Sequence, residues 1–177
     1  MGAGKSSVGR ALGARLNCAF EDLDDRIERS EGRAIAEIFS ASGEAEFRRV
    51  EREALRKVLD ELAEDETRVV GLGGGAFAQK ENAELLGASG VLTIFLDAPV
   101  EELWRRCVKQ ASEQGLKRPL LQSLEQFQKL FDGRRASYLK ASLRIETSGR
   151  TVAAIAREIA DAIRLKNLRP KKEGLTQ

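Results

Sequence analysis

The 177-residue chain contains no histidine. Without imidazole there is no Ser-His-Asp or Cys-His nucleophile pair, no His-liganded zinc and no His proton shuttle. Any chemistry must run on carboxylates, Lys, Arg, hydroxyls, backbone amides and a metal held by oxygen. Cysteine is almost absent. Cys18 and Cys107 are far apart and lack C-x-x-C spacing, which reads as two free thiols in reducing surroundings, packed as small apolar residues. No apolar run approaches about 18 residues, and the opening residues are Gly, Lys and Ser rather than a basic segment followed by an apolar one. The expectation is a cytoplasmic protein with no membrane partner. An excess of one charge is also lacking: 30 Lys and Arg stand against 28 Asp and Glu, a formal net charge of +2. That balance gives no general pull toward nucleic acid. No long exposed apolar helix face demands a partner, so a monomer is expected.

What is present describes one globular domain. The length is close to the roughly 150 residues typical of a single domain, enough to bury a sizeable core. Four β-type runs, Ala19–Leu23, Arg68–Leu72, Val91–Leu96 and Leu143–Thr147, alternate with amphipathic segments. This pattern predicts an α/β fold with a parallel sheet, whose apolar runs at 68–72 and 91–96 read as strands buried on both faces. Helices are predicted over Lys5–Leu16, Ala34–Ser40, Gly43–Leu62, Val100–Lys109, Leu124–Leu139 and Val152–Leu165, the third with Phe47, Val50, Leu55, Val58, Leu59 and Leu62 on one stripe. Residues 1–165 are read as the domain. Residues 166–177 are read as a basic tail, since Arg164 to Glu173 carries five basic residues and one acid, and Pro170 stops a helix there.

The residues from Gly2 to Ser7, GAGKSS, match the second part of the pattern G-x-x-x-x-G-K-[ST]. Glycines let backbone N–H groups converge on phosphate oxygens, a following helix presents its positive end, Lys5 reaches the β- and γ-phosphates and the Ser6 hydroxyl can bind Mg²⁺. Such a loop ordinarily follows a buried strand, for which this sequence has no residues. The expectation is therefore a sheet that lacks its first strand, a loop without its anchor and a natural start upstream of Met1.

Four further groups carry possible chemistry. In Phe20-Glu21-Asp22-Leu23-Asp24 a strand period of two puts Asp22 and Asp24 on one side, one to support a metal and one to orient a hydroxyl. A strand-to-helix turn capped by Asp24 accounts for them equally well. Gly73-Gly74-Gly75 at the end of a buried strand suits close backbone approach to a ligand. The polar stretch from Lys109 through Arg118 to Leu121 reads by itself as an ordinary solvated loop, with a flap carrying an arginine as the alternative. Arg48 and Arg49 on the long helix, and Arg134 and Arg135 in RRASY, are by themselves ordinary surface guanidiniums. Asp97 reads as a strand-end cap.

Together, GAGKSSVGRALGARL, FEDLDDRIE, AIAEIFSASGEAEFRRVE, GLGGGA, RPLL and RRASY resemble the shikimate kinases, in order and at suitable separations from Met1 to about Gly149. The resemblance implies a P-loop kinase fold of three layers, with a central parallel sheet flanked by helices. It also implies transfer of the γ-phosphoryl of ATP to the 3-hydroxyl of shikimate. In that reading Gly2, Ala3, Gly4, Lys5, Ser6 and Ser7 cradle ATP, with Lys5 steadying the phosphates. Ser6 and Asp22 hold Mg²⁺. Asp24 binds the substrate hydroxyls and acts as base. Arg48, Arg134 and the backbone of Gly73, Gly74 and Gly75 hold shikimate. Arg118 is the lid residue at the phosphates, and Arg106 stacks near the adenine. The family pattern R-x-P-L-Y appears here as RRASY. Arg134 keeps the spacing to Tyr138, with Arg135 as the competitor. The alternative function, from a different class, is a truncated or divergent protein that binds nucleotide or shikimate without catalysis.

Overall fold

A computed structural model describes residues 2–62, 67–114 and 123–167. Helix α1 (Lys5–Leu16) leads to strand β1 (Ala19–Asp22), helix α2 (Leu23–Glu31) and the long helix α3 (Ile35–Leu62). Strand β2 (Arg68–Gly71) is followed by a single 3₁₀ turn at Ala76–Ala78 and helix α4 (Lys80–Ala88). Strand β3 (Ile94–Asp97), helices α5 (Val100–Gln114) and α6 (Leu124–Tyr138), strand β4 (Leu143–Glu146) and helix α7 (Val152–Asn167) complete the order.

Each strand pairs only in parallel: Ala19–Asp22 with Arg68–Gly71, and Ile94–Asp97 with Leu143–Glu146. The described strands thus form two separate two-stranded sheets, β1–β2 and β3–β4, rather than one. Arg68, Val69 and Val70 of β2, and Ile94 and Phe95 of β3, are half-buried rather than buried on both faces as the apolar runs predicted. The cause is a cavity along both strands, lined by these residues.

The core is likewise divided. One cluster joins Leu23 and Ile27 of α2 to Phe47, Val50, Leu55 and Val58 of α3. A second joins Val8 and Leu12 of α1 to Leu96, Ile145, Ile155 and Ile159. A small third cluster seats Leu103 and Cys107 of α5 against Phe127 of α6. Cys107 is buried, Cys18 is half-buried, and both are free thiols, as expected.

Three local outcomes matter for the site. The helices expected at 34–40 and 43–62 run together as α3, broken at Gly43, whose φ of 77° and ψ of 177° no helix accommodates and glycine tolerates. Helix α2 was not expected. It starts at Asp22, whose side chain accepts from the Asp24 N–H, so Asp22 and not Asp24 is the cap. Residues 109–114, expected to begin a flap, instead extend α5. Lys109 and Glu113, one turn apart at 3.9 Å, provide side-chain support there without an apolar stripe. The rest of the expected flap, including Arg118, and the tail from residue 168 lie outside the described residues. Helix α7 itself continues to Asn167, two residues past the expected end.

Candidate active site

At the amino end of α1 the backbone turns through two left-handed glycines, Gly2 (φ 65°) and Gly4 (φ 78°). Gly4 caps the helix without a side-chain hydrogen bond, and its carbonyl accepts from the Val8 N–H at 2.9 Å. No acid occupies the first turn. The leading N–H groups of α1 therefore have no intrahelical partner, and the helix dipole adds positive potential at the same point. Lys5 and Ser6 project from this turn. The Ser6 hydroxyl donates to Asp22 Oδ2 at 2.9 Å, fixing the end of β1 against the loop.

Asp22 and Asp24 come together, although not by the strand period that predicted it. The strand ends at Asp22, and the first turn of α2 swings Asp24 inward. Burial first, and then the charges of Asp22, Glu51 and Asp25, push the Asp24 carboxyl from 3.8 to about 6, with Lys5 opposing them. The opposing influence of Lys5 places the ammonium of the glycine loop within electrostatic reach of this acid.

The three glycines after β2 are tightly covered. A Cβ on Gly73 would meet Asp24 Oδ1 at 2.6 Å, and one on Gly75 would meet Arg48 Nη2 at 2.8 Å. Side chains are excluded there because the acid and the guanidinium occupy the space. The Gly74 carbonyl accepts from Arg134 Nη1 at 3.1 Å and from the Tyr138 hydroxyl. Residues distant in sequence, Asp24, Arg48, Arg134 and Tyr138, are thereby gathered on one short loop.

Arg48 is braced on both sides. Its Nη1 donates to Glu51 at 2.8 Å and its Nη2 to Glu44 at 3.1 Å. Glu51 is only 1% exposed, and burial pushes its carboxyl up while Arg48 and Arg134 pull it back. Glu51 is a contributor that sequence reasoning did not single out, and Tyr138 one that it used only as a spacing mark. Their signals were available: Glu51 is three residues after Arg48 and Tyr138 four after Arg134, so each pair shares a helix face.

Arg135 points elsewhere, with its Nη2 3.5 Å from Asp97 Oδ2. Arg144 donates to the same oxygen at 2.8 Å, and the Asp97 backbone carbonyl accepts from Thr147 Oγ1 at 3.0 Å and from the Thr147 N–H at 2.8 Å. Asp97 is thus a strand-end anchor whose charge is neutralised by two arginines. Arg106 is held at the end of β4, donating to Thr147 Oγ1 at 3.3 Å, to the Thr147 carbonyl at 3.1 Å and to Glu102.

Comparison with known proteins identifies the family. The family model for shikimate kinase matches residues 1–164. The chain belongs to the shikimate kinase family. A shikimate kinase of Persephonella marina is 37% identical over 165 residues, covering 93% of this chain and 94% of its own length. The shikimate kinase of Geobacter metallireducens is 42% identical over 162 residues, covering 90% of this chain and 85% of its own. Among solved structures, the shikimate kinase from Acinetobacter baumannii in complex with shikimate superposes with a TM-score of 0.79 at 32% identity, covering 96% of this chain and 91% of that one. Shikimate kinase membership brings the P-loop kinase fold, ATP as a substrate and a place in aromatic amino-acid biosynthesis. No helix among the described residues is long and apolar enough to cross a membrane.

Proposed function

We propose that the chain moves the γ-phosphoryl group of ATP to the 3-hydroxyl of shikimate, giving shikimate 3-phosphate and ADP, with Asp24 receiving the hydroxyl proton. The observation that carries this reading is the position of Asp24. A half-buried carboxyl with its pKa raised to about 6 lies beside both the loop lysine and the glycine triplet. An acid tuned toward neutrality is suited to accept a proton while remaining largely ionised at pH 7. As the acceptor oxygen bonds to the γ-phosphorus, its proton passes to Asp24 and the bond from that phosphorus to the β-bridging oxygen breaks, releasing ADP.

The remaining residues bind and orient. Arg48 and Arg134 border the triplet from two helices, and their planar forks suit the substrate carboxylate in bidentate fashion. Glu51 and Tyr138 brace that pair: Glu51 holds Arg48 directly, and Tyr138 shares the Gly74 carbonyl with Arg134. Gly2 to Ser7 supply amides, and Lys5 a charge, to the phosphates.

The Ser6 hydroxyl and the Asp22 carboxylate are hard oxygen donors already within 2.9 Å of one another, a donor set that fits Mg²⁺ with its remaining positions on water and phosphate. Held by Ser6 and Asp22, Mg²⁺ would supply charge neutralisation to the transferring phosphates. By resemblance we assign Arg118 to the lid over the phosphates. Arg106, steadied by Thr147, is assigned to the adenine. The working form we propose is a cytoplasmic monomer.

The decisive experiment is shikimate-dependent ADP release with MgATP, run beside thermal stabilisation by each ligand. ADP release that requires shikimate is the expected result. Stabilisation by both ligands without ADP release would instead establish a binding protein without turnover.

A further inference from the structure

Helix α5 borders the glycine loop. A Cβ on Gly2 would meet the Leu103 carbonyl oxygen at 2.3 Å and the Cys107 sulfur at 2.9 Å, so the first glycine packs directly on this helix. Leu103 and Cys107, one turn apart, are both buried. Glu102 and Arg106 immediately precede them and occupy the neighbouring face, about 100° round the axis. That face meets the turn Thr147–Gly149 after β4. Because β3 and β4 run parallel with Asp97 opposite Glu146, α5 and this turn both leave the carboxyl edge of the sheet. Ligands of α/β sheets bind at that edge.

Glu102 uses both of its oxygens, and on two different segments. Its Oε1 accepts from Arg106 Nη2 within α5, and its Oε2 accepts from the Ser148 hydroxyl of the turn. The Ser148 hydroxyl first, then Arg106 and the Gly149 backbone, hold the Glu102 carboxyl below the usual range against the opposing effect of burial. Arg106 in turn donates to the Thr147 carbonyl at 3.1 Å and to its hydroxyl at 3.3 Å. Thr147 is fully buried, and its hydroxyl donates to the Asp97 carbonyl. An isolated pair one helical turn apart contributes little. A carboxylate shared between a helix and a separate turn does more, because it fixes where the guanidinium plane lies. Stacking on the face of an aromatic ring depends on that plane.

We propose that Glu102 is a positioning residue for the nucleobase of ATP: it fastens the turn to α5 and presents the Arg106 guanidinium to the base in one orientation. The proposal rests on the reading of Arg106 as the adenine contact. It assigns to Glu102 an effect on the base and none on the phosphates, a division that a general loss of structure would not produce.

The test is calorimetric titration with two ligands in the presence of Mg²⁺: ADP, and ribose 5-diphosphate, which keeps the sugar and phosphates and lacks the base. Four proteins are compared: the parent, Glu102→Ala, Glu102→Gln and, as a control, Glu101→Gln at the exposed neighbouring position. Glu102→Ala is expected to weaken ADP by about tenfold and to leave ribose 5-diphosphate within about twofold, from the loss of charge-assisted hydrogen bonds. Glu102→Gln, whose amide oxygen still accepts from one of the two donors, should weaken ADP by about threefold. It keeps the shape of the side chain and carries the test if the alanine variant melts early. The control should match the parent. In turnover, the KM for ATP should rise with the ADP affinity loss while the KM for shikimate holds.

Equal losses for the two ligands overturn the proposal, because they make Glu102 part of the general framework of the phosphate loop. Unchanged ADP affinity in both Glu102 variants overturns it too, and reduces the bridge to a surface contact. If the parent binds ADP no more tightly than ribose 5-diphosphate, the proposal falls together with the assignment of Arg106, while Asp24 and the glycine loop keep theirs. The titrations contain no shikimate, so a failure of phosphoryl transfer would leave their outcome intact.

Discussion

Two strands of this protein end in aspartate at the same topological position, and the two acids have opposite fates. Asp97, closing β3, is 3% exposed, its carboxylate held by Arg144 and Arg135 and its carbonyl by Thr147. Among the described residues Asp22, closing β1, accepts only from the Ser6 hydroxyl and the Asp24 N–H, and no cation there pairs with it. One carboxylate has its charge consumed by the fold, while the other keeps a charge that a metal ion can use. Position in an α/β sheet makes an acid available for chemistry only where its neighbours leave it unneutralised. The same contrast separates Arg134, aimed at the Gly74 carbonyl, from Arg135, committed to Asp97.

The sharpest way to break this comparison is to remove charge on the Asp22 side. Asp24→Asn is expected to lower kcat by about 10³-fold or more while leaving the fold intact, since a positioned base contributes about 10²–10⁴. Retained turnover would take Asp24 out of the mechanism. Arg134→Ala is expected to lower kcat/KM for shikimate by roughly 10²-fold, from the loss of a charge-assisted pair of about 2–3 kcal/mol. Arg135→Ala should leave kcat/KM unchanged. Equal losses in both would show that the two arginines act together rather than on separate sides. On the Asp97 side, Asp97→Asn should lower stability by about 1–3 kcal/mol, because two arginines and a buried position lose their shared anion, with turnover per folded molecule preserved. A denaturant midpoint beside a turnover number separates those effects.

The fold was legible wherever the pattern was long and local. Lys5–Leu16 was bounded correctly because a Gly-Lys-Ser start meets an apolar stripe, and the four strands fell within about three residues of their predicted bounds. Helix α2 was missed because LDDRIERSE has only Leu23 and Ile27 on its buried face, too few to display a period. The end of α5 was missed for the complementary reason, since charged residues continued a helix that had no stripe left to show. Within the site, spacing alone left Arg48 and Arg134 as ordinary surface guanidiniums, and the resemblance to the shikimate kinases is what singled them out. The spacing to Tyr138 favoured Arg134 but kept Arg135 as a competitor, although the two point about 100° apart on a helix. Only the packing of α6 against the glycine triplet makes that distinction. Strand pairing was the least legible feature, because apolar runs report burial and say nothing of which edges meet.

The smallest expected effect is the most specific to the Asp22 side, and it is a stability change rather than a rate. Asp24 titrates at about 6 in the folded protein against 3.8 for the ordinary carboxyl. Between those values the folded state binds more protons than the unfolded state, so stability falls as pH rises through that window and stays lowered above it. Asp24→Asn removes this penalty, since a neutral amide resists neither burial nor the neighbouring Asp22 and Glu51 charges. Two pKa units correspond to about 3 kcal/mol, which partial exposure of the carboxyl reduces to roughly 1–2 kcal/mol. The variant should therefore melt a few degrees above the parent at pH 8 and together with it at pH 4. The kcat/KM of the parent should fall tenfold per pH unit below about 6, where the base is protonated. A melting difference that is constant from pH 4 to 8 would mean that Asp24 is unstrained in the folded protein. Its place beside Lys5 and the glycine triplet would then serve binding alone, and the contrast with Asp97 would rest on the arginines.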